Sequence, residues 1–197
     1  MATRNELISA HEDLHVEIRA AEDWQESYKQ SSDTFDALLR LEALLQTAIH
    51  GYLQDLSVRA INYVDWSRLP EPINADAGPV ANNDDPAWTL EEQLLTAATI
   101  DIITSLVATG VLAGEYIYGF PAFETLDEAI MQAARLHTAE FVKGATTTTR
   151  KLIRESVAKS IALGEDIRAS KARLSLVIDN PIRAELIALT EPVNAYQ

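Results

Sequence analysis

His11-Glu12-Asp13-Leu14-His15 has the His-Glu-x-x-His form. On a helix, residues four apart share a face. The two imidazoles could then hold a Zn²⁺ ion while Glu12 served as the general base of a hydrolase. The surroundings argue against it. Only ten residues precede the motif, which leaves no room for a strand to wall an upstream cleft. Asp13 places a charge inside a helix that such enzymes bury. A third protein ligand is needed, and no His-rich or Glu-bearing signature follows at a familiar spacing. His11 and His15 also flank a stripe of Leu7, Leu14 and Ile18, where partly buried helix histidines are ordinary. We assign no catalytic residue, no metal and no other cofactor. His11 and His15 stay as the metal candidates, and a zinc-dependent hydrolase built on them is the alternative reading.

Glu12-Asp-Leu-His15 is also half of a di-iron bundle signature. Such a site needs two Glu-x-x-His motifs, but Thr47 and Ala134 stand three residues before His50 and His137. There is no nucleophile elbow, phosphate loop or dinucleotide fingerprint. The chain has no cysteine, which removes thiolate metal sites, cysteine nucleophiles and disulfides. Asp84-Asp85, Glu91-Glu92 and Asp127-Glu128 are adjacent pairs. Neighbours on a helix point in different directions, so these are expected to cap helices and face water rather than share a proton. Trp66 and Trp88 bracket a proline-rich stretch. They are candidate interface anchors, with core packing the commoner fate of such side chains.

The elements that would position these residues read as helices. Leu7, Leu14, Ile18, Ala21 and Tyr28 predict a helix from Asn5 to about Lys29. Ser31-Ser32-Asp33 breaks the pattern and can cap a second helix from Thr34 to about Asn62. Its broad apolar stripe needs cover, and the first helix is the nearest candidate, giving an antiparallel hairpin. Four prolines between residues 65 and 87 forbid a continuous helix there. Thr89-Leu-Glu-Glu92 has the form of a capping box and predicts a helix to about Ala113, with Gly114 as its C-cap. Tyr116 to Pro121 reads as a turn or a short extended piece. Thr125-Leu-Asp-Glu128 repeats the capping box and opens a helix that Gly144 ends. Thr146 to Thr149 leads into a helix bearing Leu152, Ile153, Val157 and Ile161, closed by Gly164. A shorter helix carries Ile167 and Leu174. Asn180-Pro181 stops it and presets the last helix, with Ile182, Leu186, Ile187 and Val193 on its apolar side. No stretch alternates with period two. The predicted fold is all-α: a helical hairpin over residues 1–64, a proline-rich connector over 65–88 and a helical domain over 89–197.

The 197 residues are 47% hydrophobic and 23% charged, the balance of a folded chain. No apolar block of signal-peptide length opens the sequence. Leu94 to Ala113 is the most apolar stretch. Asp101 interrupts it and five Ser/Thr residues dilute it, so it reads as a core helix and no membrane contact is expected. The net charge is −14, which repels nucleic acid as a whole. The stretch Lys143 to Arg173 runs the other way, with Lys143, Arg150, Lys151, Arg154, Lys159, Arg168, Lys171 and Arg173 against Glu155, Glu165 and Asp166. Solvated helix faces are the plain reading of that run; contact with DNA or acidic protein is the functional one.

The segment Phe141-Val-Lys-Gly-Ala-Thr-Thr-Thr-Thr-Arg-Lys-Leu-Ile-Arg-Glu-Ser-Val-Ala-Lys-Ser-Ile-Ala-Leu-Gly-Glu-Asp-Ile, followed by Arg183-Ala-Glu-Leu-Ile-Ala-Leu-Thr-Glu191, resembles the phage Mu F-like head morphogenesis family. Members carry a Thr-Arg or similar pair opening a helix, then a Gly and a short helix, then Arg-Ala-x-x-Ile-Ala-Arg-Thr-Glu. Arg183, Ala184, Ile187, Ala188, Thr190 and Glu191 match that last pattern. Leu189 stands where the family usually has Arg. The family domain also normally continues with Gly-, Trp- and often His- or Cys-containing segments, while this chain stops at Gln197. The resemblance spans about residues 130–197. It implies a minor head protein of a tailed phage that is not an enzyme. Such a protein is found in the virion or procapsid, and in the host cytoplasm during assembly. It implies portal or capsid proteins as partners, with an oligomer possible. Thr149, Arg150, Gly164, Arg183, Ala184, Ile187, Thr190 and Glu191 are the interaction residues it points to. In plain structural terms, Arg183 and Thr190 could equally cap or brace neighbouring helices.

Overall fold

The computed structural model describes residues 32–69, 79–82, 84–118 and 126–195. The predicted first helix, and with it His11, Glu12 and His15, lies outside them. Among the described residues are five α-helices: α1 (Ser32–Arg59), α2 (Pro86–Tyr118), α3 (Leu126–Ala162), α4 (Ile167–Ile178) and α5 (Pro181–Ala195). Short 3₁₀ turns cover Ala60–Tyr63 and Trp66–Arg68. The fold is all-α. The described residues contain no strand, only one antiparallel bridge between Val64 and Val80.

α1 is the hub. Leu45, Ile49, Leu53 and Leu56 recur at spacings of three or four, so they form one helical face, and none is more than 1% exposed. That face lies against α2, α4 and α5, while α3 packs on α2 and α4. One continuous apolar cluster runs from Leu38 of α1 through Leu95, Ile103 and Leu106 of α2, Ile153 and Val157 of α3 and Leu174 and Ile178 of α4, to Ala184 and Ala188 of α5. α1 therefore shares its core with the C-terminal helices.

The ends of the proline-rich segment are clamped together. Asp65 N donates to Pro79 O at 2.6 Å, and Ala81 N donates to Tyr63 O at 2.8 Å. The Trp66 indole N–H donates to Ile61 O and that of Trp88 to Asn82 O, at 2.7 and 2.8 Å. α2 takes over the last residues of this segment. It starts at Pro86, whose missing N–H would have no partner in a first turn anyway, with the Asp85 carboxylate accepting from Ala87 N at 2.9 Å. Thr89 thus sits inside the helix and the expected capping box does not open it. Gly114 and Tyr116–Tyr118 are also helical rather than a cap and a turn, because no proline forbids continuation before Pro121. By length and composition Pro86–Val111 could cross a bilayer, with mean hydropathy 1.7 and 28% of that window buried. Its buried face meets protein: Trp88, Leu95, Thr99, Ile103 and Leu106 belong to the core.

Two expected helices are one. α3 runs unbroken through Gly144 and the threonine run. Thr146 and Thr149, three apart, face inward. Each satisfies its hydroxyl on the carbonyl four residues back, Val142 O and Ala145 O, at 2.8 Å. A buried threonine satisfied in this way leaves no orphan donor, so the run does not break the helix. Gly164 does end it. With φ at 63°, Gly164 N donates to Ile161 O and Glu165 N to Ser160 O, the paired bonds of a Schellman turn. Asp166 caps α4 by accepting from Ala169 N at 2.7 Å. Asn180 Oδ1 accepts from Ile182 N at 3.1 Å and opens α5 at Pro181, as the sequence implies.

The two glycines should respond oppositely to alanine. Nothing lies within 4 Å of a Cβ built at either site. Gly144→Ala should stabilise the fold by roughly 0.5–1 kcal/mol, because it removes glycine from a helix interior. Gly164→Ala should destabilise it by about 1 kcal/mol, because alanine at positive φ is strained. Urea melts of both variants check the pair. A loss of stability at Gly144 would mean that it, too, ends a helix.

Candidate functional site

The least expected side chain is Glu91. It is 1% exposed, on the α2 face that also carries Leu95 and Thr99. Arg59, at the end of α1, grips it with both arms: Nε donates to Oε1 at 2.7 Å and Nη2 to Oε2 at 2.9 Å. The Tyr63 hydroxyl donates to Oε1 as well. Burial alone would raise the carboxyl pKa. Hydrogen bonds from Arg59 and Tyr63 and the Arg59 charge outweigh it and hold Glu91 below the usual carboxylate value. Tyr52 and Tyr63 move the other way. Burial and the Glu91 carboxylate hold both far above the ordinary tyrosine pKa, so both remain protonated donors. Arg59 also lies 5.8 Å from the centre of the Tyr52 ring, and Tyr63 meets Trp88 edge-on at 5.1 Å. Both carboxylate oxygens are occupied and sealed from water. The group holds α1, the following turn and the start of α2 together.

Glu92, its neighbour, turns outward to Arg150 of α3, 3.7 Å away. Arg150 also stacks 5.4 Å from the Trp88 ring centre. Glu92 near the start of α2 thus meets the second half of α3, as antiparallel neighbours do. Trp88 is 3% exposed and belongs to the core. Trp66 is half-buried, with the Lys171 ammonium 5.5 Å from its ring.

Thr149 and Arg183, far apart in sequence, are in contact. Arg183 Nη2 donates to Thr149 Oγ1 and reaches Ala145 O at 3.4 Å. Its Nη1 is buried with no hydrogen-bond partner among the described residues. Burial pulls the Arg183 pKa down, the direction expected of a guanidinium with little counter-charge. Ala184 is core, and Ile187 packs on the core from its edge. Thr190 and Glu191 lie on α5, with their side chains outside the described set. Arg183 thus braces α5 against α3 through the threonine of the Thr149-Arg150 pair, while Arg150 itself turns to Glu92 and Trp88.

The basic run divides. Arg150 and Arg173 are ion-paired, and Lys151 lies 3.8 Å from Glu155 on the surface. Lys143, Lys159 and Arg168 are exposed. Beside Gly164, Glu165 accepts from Ser160 Oγ at 2.8 Å and from Arg173 Nε at 2.9 Å, with Arg173 Nη2 a further donor. Hydrogen bonds from Arg173, then from Ser160, pull the Glu165 pKa down to about 2. A carboxylate depressed in the fold contributes stability above its unfolded pKa and loses it as pH falls through the folded value. The tie between the α3–α4 turn and α4 should therefore hold above about pH 4 and fade towards pH 2. In urea melts across that window, Glu165→Gln should flatten the acid slope. An unchanged slope would mean that the tie contributes nothing to stability.

Among the described residues no group of three His, Cys, Asp or Glu is arranged to hold a metal ion. Sequence reasoning missed the Glu91 cluster, although the spacing of Glu91, Leu95 and Thr99 was a usable signal. Comparison with protein-family models, with curated proteins and with solved structures finds no match to this chain.

Proposed function

We propose that this chain is a minor structural protein of a tailed-phage head. It docks on portal or inner capsid proteins and supports head morphogenesis, DNA packaging or ejection, without a catalytic step of its own. The observation that carries the reading is the meeting of the two separated parts of the Mu F-like pattern, where Arg183 of α5 donates to Thr149 of α3. Arg183 and Thr149 stand 34 positions apart in the sequence and touch in the fold, which supports reading the two parts of the pattern together. Exposed apolar and basic side chains on α3 and in the turn that follows it, Leu136, Lys143, Lys159 and Leu163 among them, supply surface for docking. DNA contact through the basic run is a lesser part of the proposal. The deciding experiment is quantitative mass spectrometry of purified heads and procapsids from the source phage or prophage. The reading requires the chain at low copy relative to the major capsid protein. Absence from both particles would sink it, and the His11–His15 helix should then be assayed for zinc.

A further inference from the structure

We infer that the groove between Trp66 and the α3–α4 turn is a docking site for an acidic protein segment bearing a large apolar anchor. The groove encloses about 570 Å³, with Trp66 and Leu69 on one wall and Ile161 and Ile167 on the other. Single exposed apolar side chains are common and mean little. Here they are gathered. Ile167 is 48% exposed within the groove, and Leu163, 59% exposed, stands beside it in the turn. The Trp66 indole N–H is bonded to Ile61 O, so the ring brings no free polar tip to the groove.

The charge at this groove opposes that of the chain. Arg168 lines it, and Lys171 sits over Trp66. Lys159 is near enough to act on the Glu165 carboxylate. Glu165 and Asp166 also line the groove; Glu165 is paired with Arg173, while Asp166 keeps its charge as it caps α4. Arg168, Lys171 and Lys159 together outnumber that one uncompensated carboxylate, on a molecule whose net charge is −14. A partner carrying carboxylates around an apolar anchor matches both features. Its charges meet the rim, and its anchor leaves water against the indole. Duplex DNA matches only the first. It has no apolar side chain to insert, and its binding grows with the number of phosphate contacts rather than with one enclosed groove. The inference rests on the groove alone and stands apart from the head-protein reading.

The test is selection from a random twelve-residue peptide library on the purified full chain, followed by anisotropy titration of the recovered peptides. They should be acidic with a Leu, Ile, Phe or Trp anchor. Their affinity should fall about tenfold or more for Ile167→Glu and for Arg168→Glu, and hold for Leu44→Glu on α1, 56% exposed and away from the groove. Both groove residues are exposed, so the variants should fold, and matching thermal melts verify this. Recovery of peptides without acidic bias, or with affinity indifferent to both groove variants, overturns the proposal. So does recovery of none. A dimer in sedimentation that Ile167→Glu abolishes would assign the groove to a second copy instead. Tighter binding of a duplex through Arg168 than of any peptide would assign it to nucleic acid.

Discussion

Glu91→Leu should destabilise the protein by about 3 kcal/mol, a large fraction of the total stability of a domain. The reason lies in what stays behind. Leucine fits an apolar helix face, but it leaves the Arg59 guanidinium and the Tyr63 hydroxyl without the acceptor that both now share. Arg59 is 30% exposed and can recover some hydration, which keeps the loss towards the lower end for a broken buried pair. Arg59→Met should cost at least as much, because the stranded group is then a carboxylate at 1% exposure. The double variant should be milder than either single change. A buried pair gains little net energy over apolar replacement, since its attraction mainly offsets its own desolvation. Three urea melts decide it. Single variants within about 0.5 kcal/mol of the parent, or simple additivity in the double variant, would show that the pair is not coupled in the fold.

The same cluster sets an acid response. Glu91 is held below its unfolded pKa, so its contribution is complete above the ordinary carboxylate range and is lost as pH falls through the folded value. Tyr52 and Tyr63 stay protonated well above neutral pH and add no slope there. Glu91 and Glu165 therefore act in the same direction. Both favour the fold near neutrality and release it in acid.

How far the sequence is readable depends on which forces decide each feature. Helical class was readable, because stripes such as Leu45, Ile49, Leu53 and Leu56 repeat with the helical period and burial follows the stripe. Helix ends were readable where local chemistry settles them. Asn180-Pro181 and Gly164 need only their own backbone and side chains to stop a helix. Gly144 and Thr89 misled for the converse reason. Each has the form of a stop or start signal, yet continuous packing of α3 on α2 and α4 and an earlier start at Pro86 override it. Glu91 and Glu92 are identical in type and adjacent, and only tertiary partners separate them. One faces Arg59 in the core and the other Arg150 at the surface. The contact of Arg183 with Thr149 likewise depends on how α5 lies across α3. Local spacing carries no information about that.

Leu53→Ala should cost about 3 kcal/mol, while Val58→Ala, on the same helix, should change stability by no more than about 0.5 kcal/mol. Leu53 is 1% exposed and Val58 is 68% exposed, so the same kind of truncation is made on opposite sides of α1. At Val58 little apolar surface returns to water, and alanine is the better helix former. At Leu53 two terms add. Transfer energy of the deleted carbons is lost, and a cavity opens that the neighbours fill only in part. Its collapse is opposed by the hub role of α1. A shift of α1 that closed the gap against one neighbour would open contacts with another, since α2, α4 and α5 all pack on it. Neighbouring Tyr52 adds to that resistance, because its ring also lies against Arg59, which is held by Glu91. The melting temperature of Leu53→Ala should fall by about 6–12 °C, and the urea midpoint should drop with an unchanged slope. A Leu53 variant no less stable than Val58→Ala would show that the face of α1 carrying Leu45, Ile49 and Leu56 is not the centre of the core.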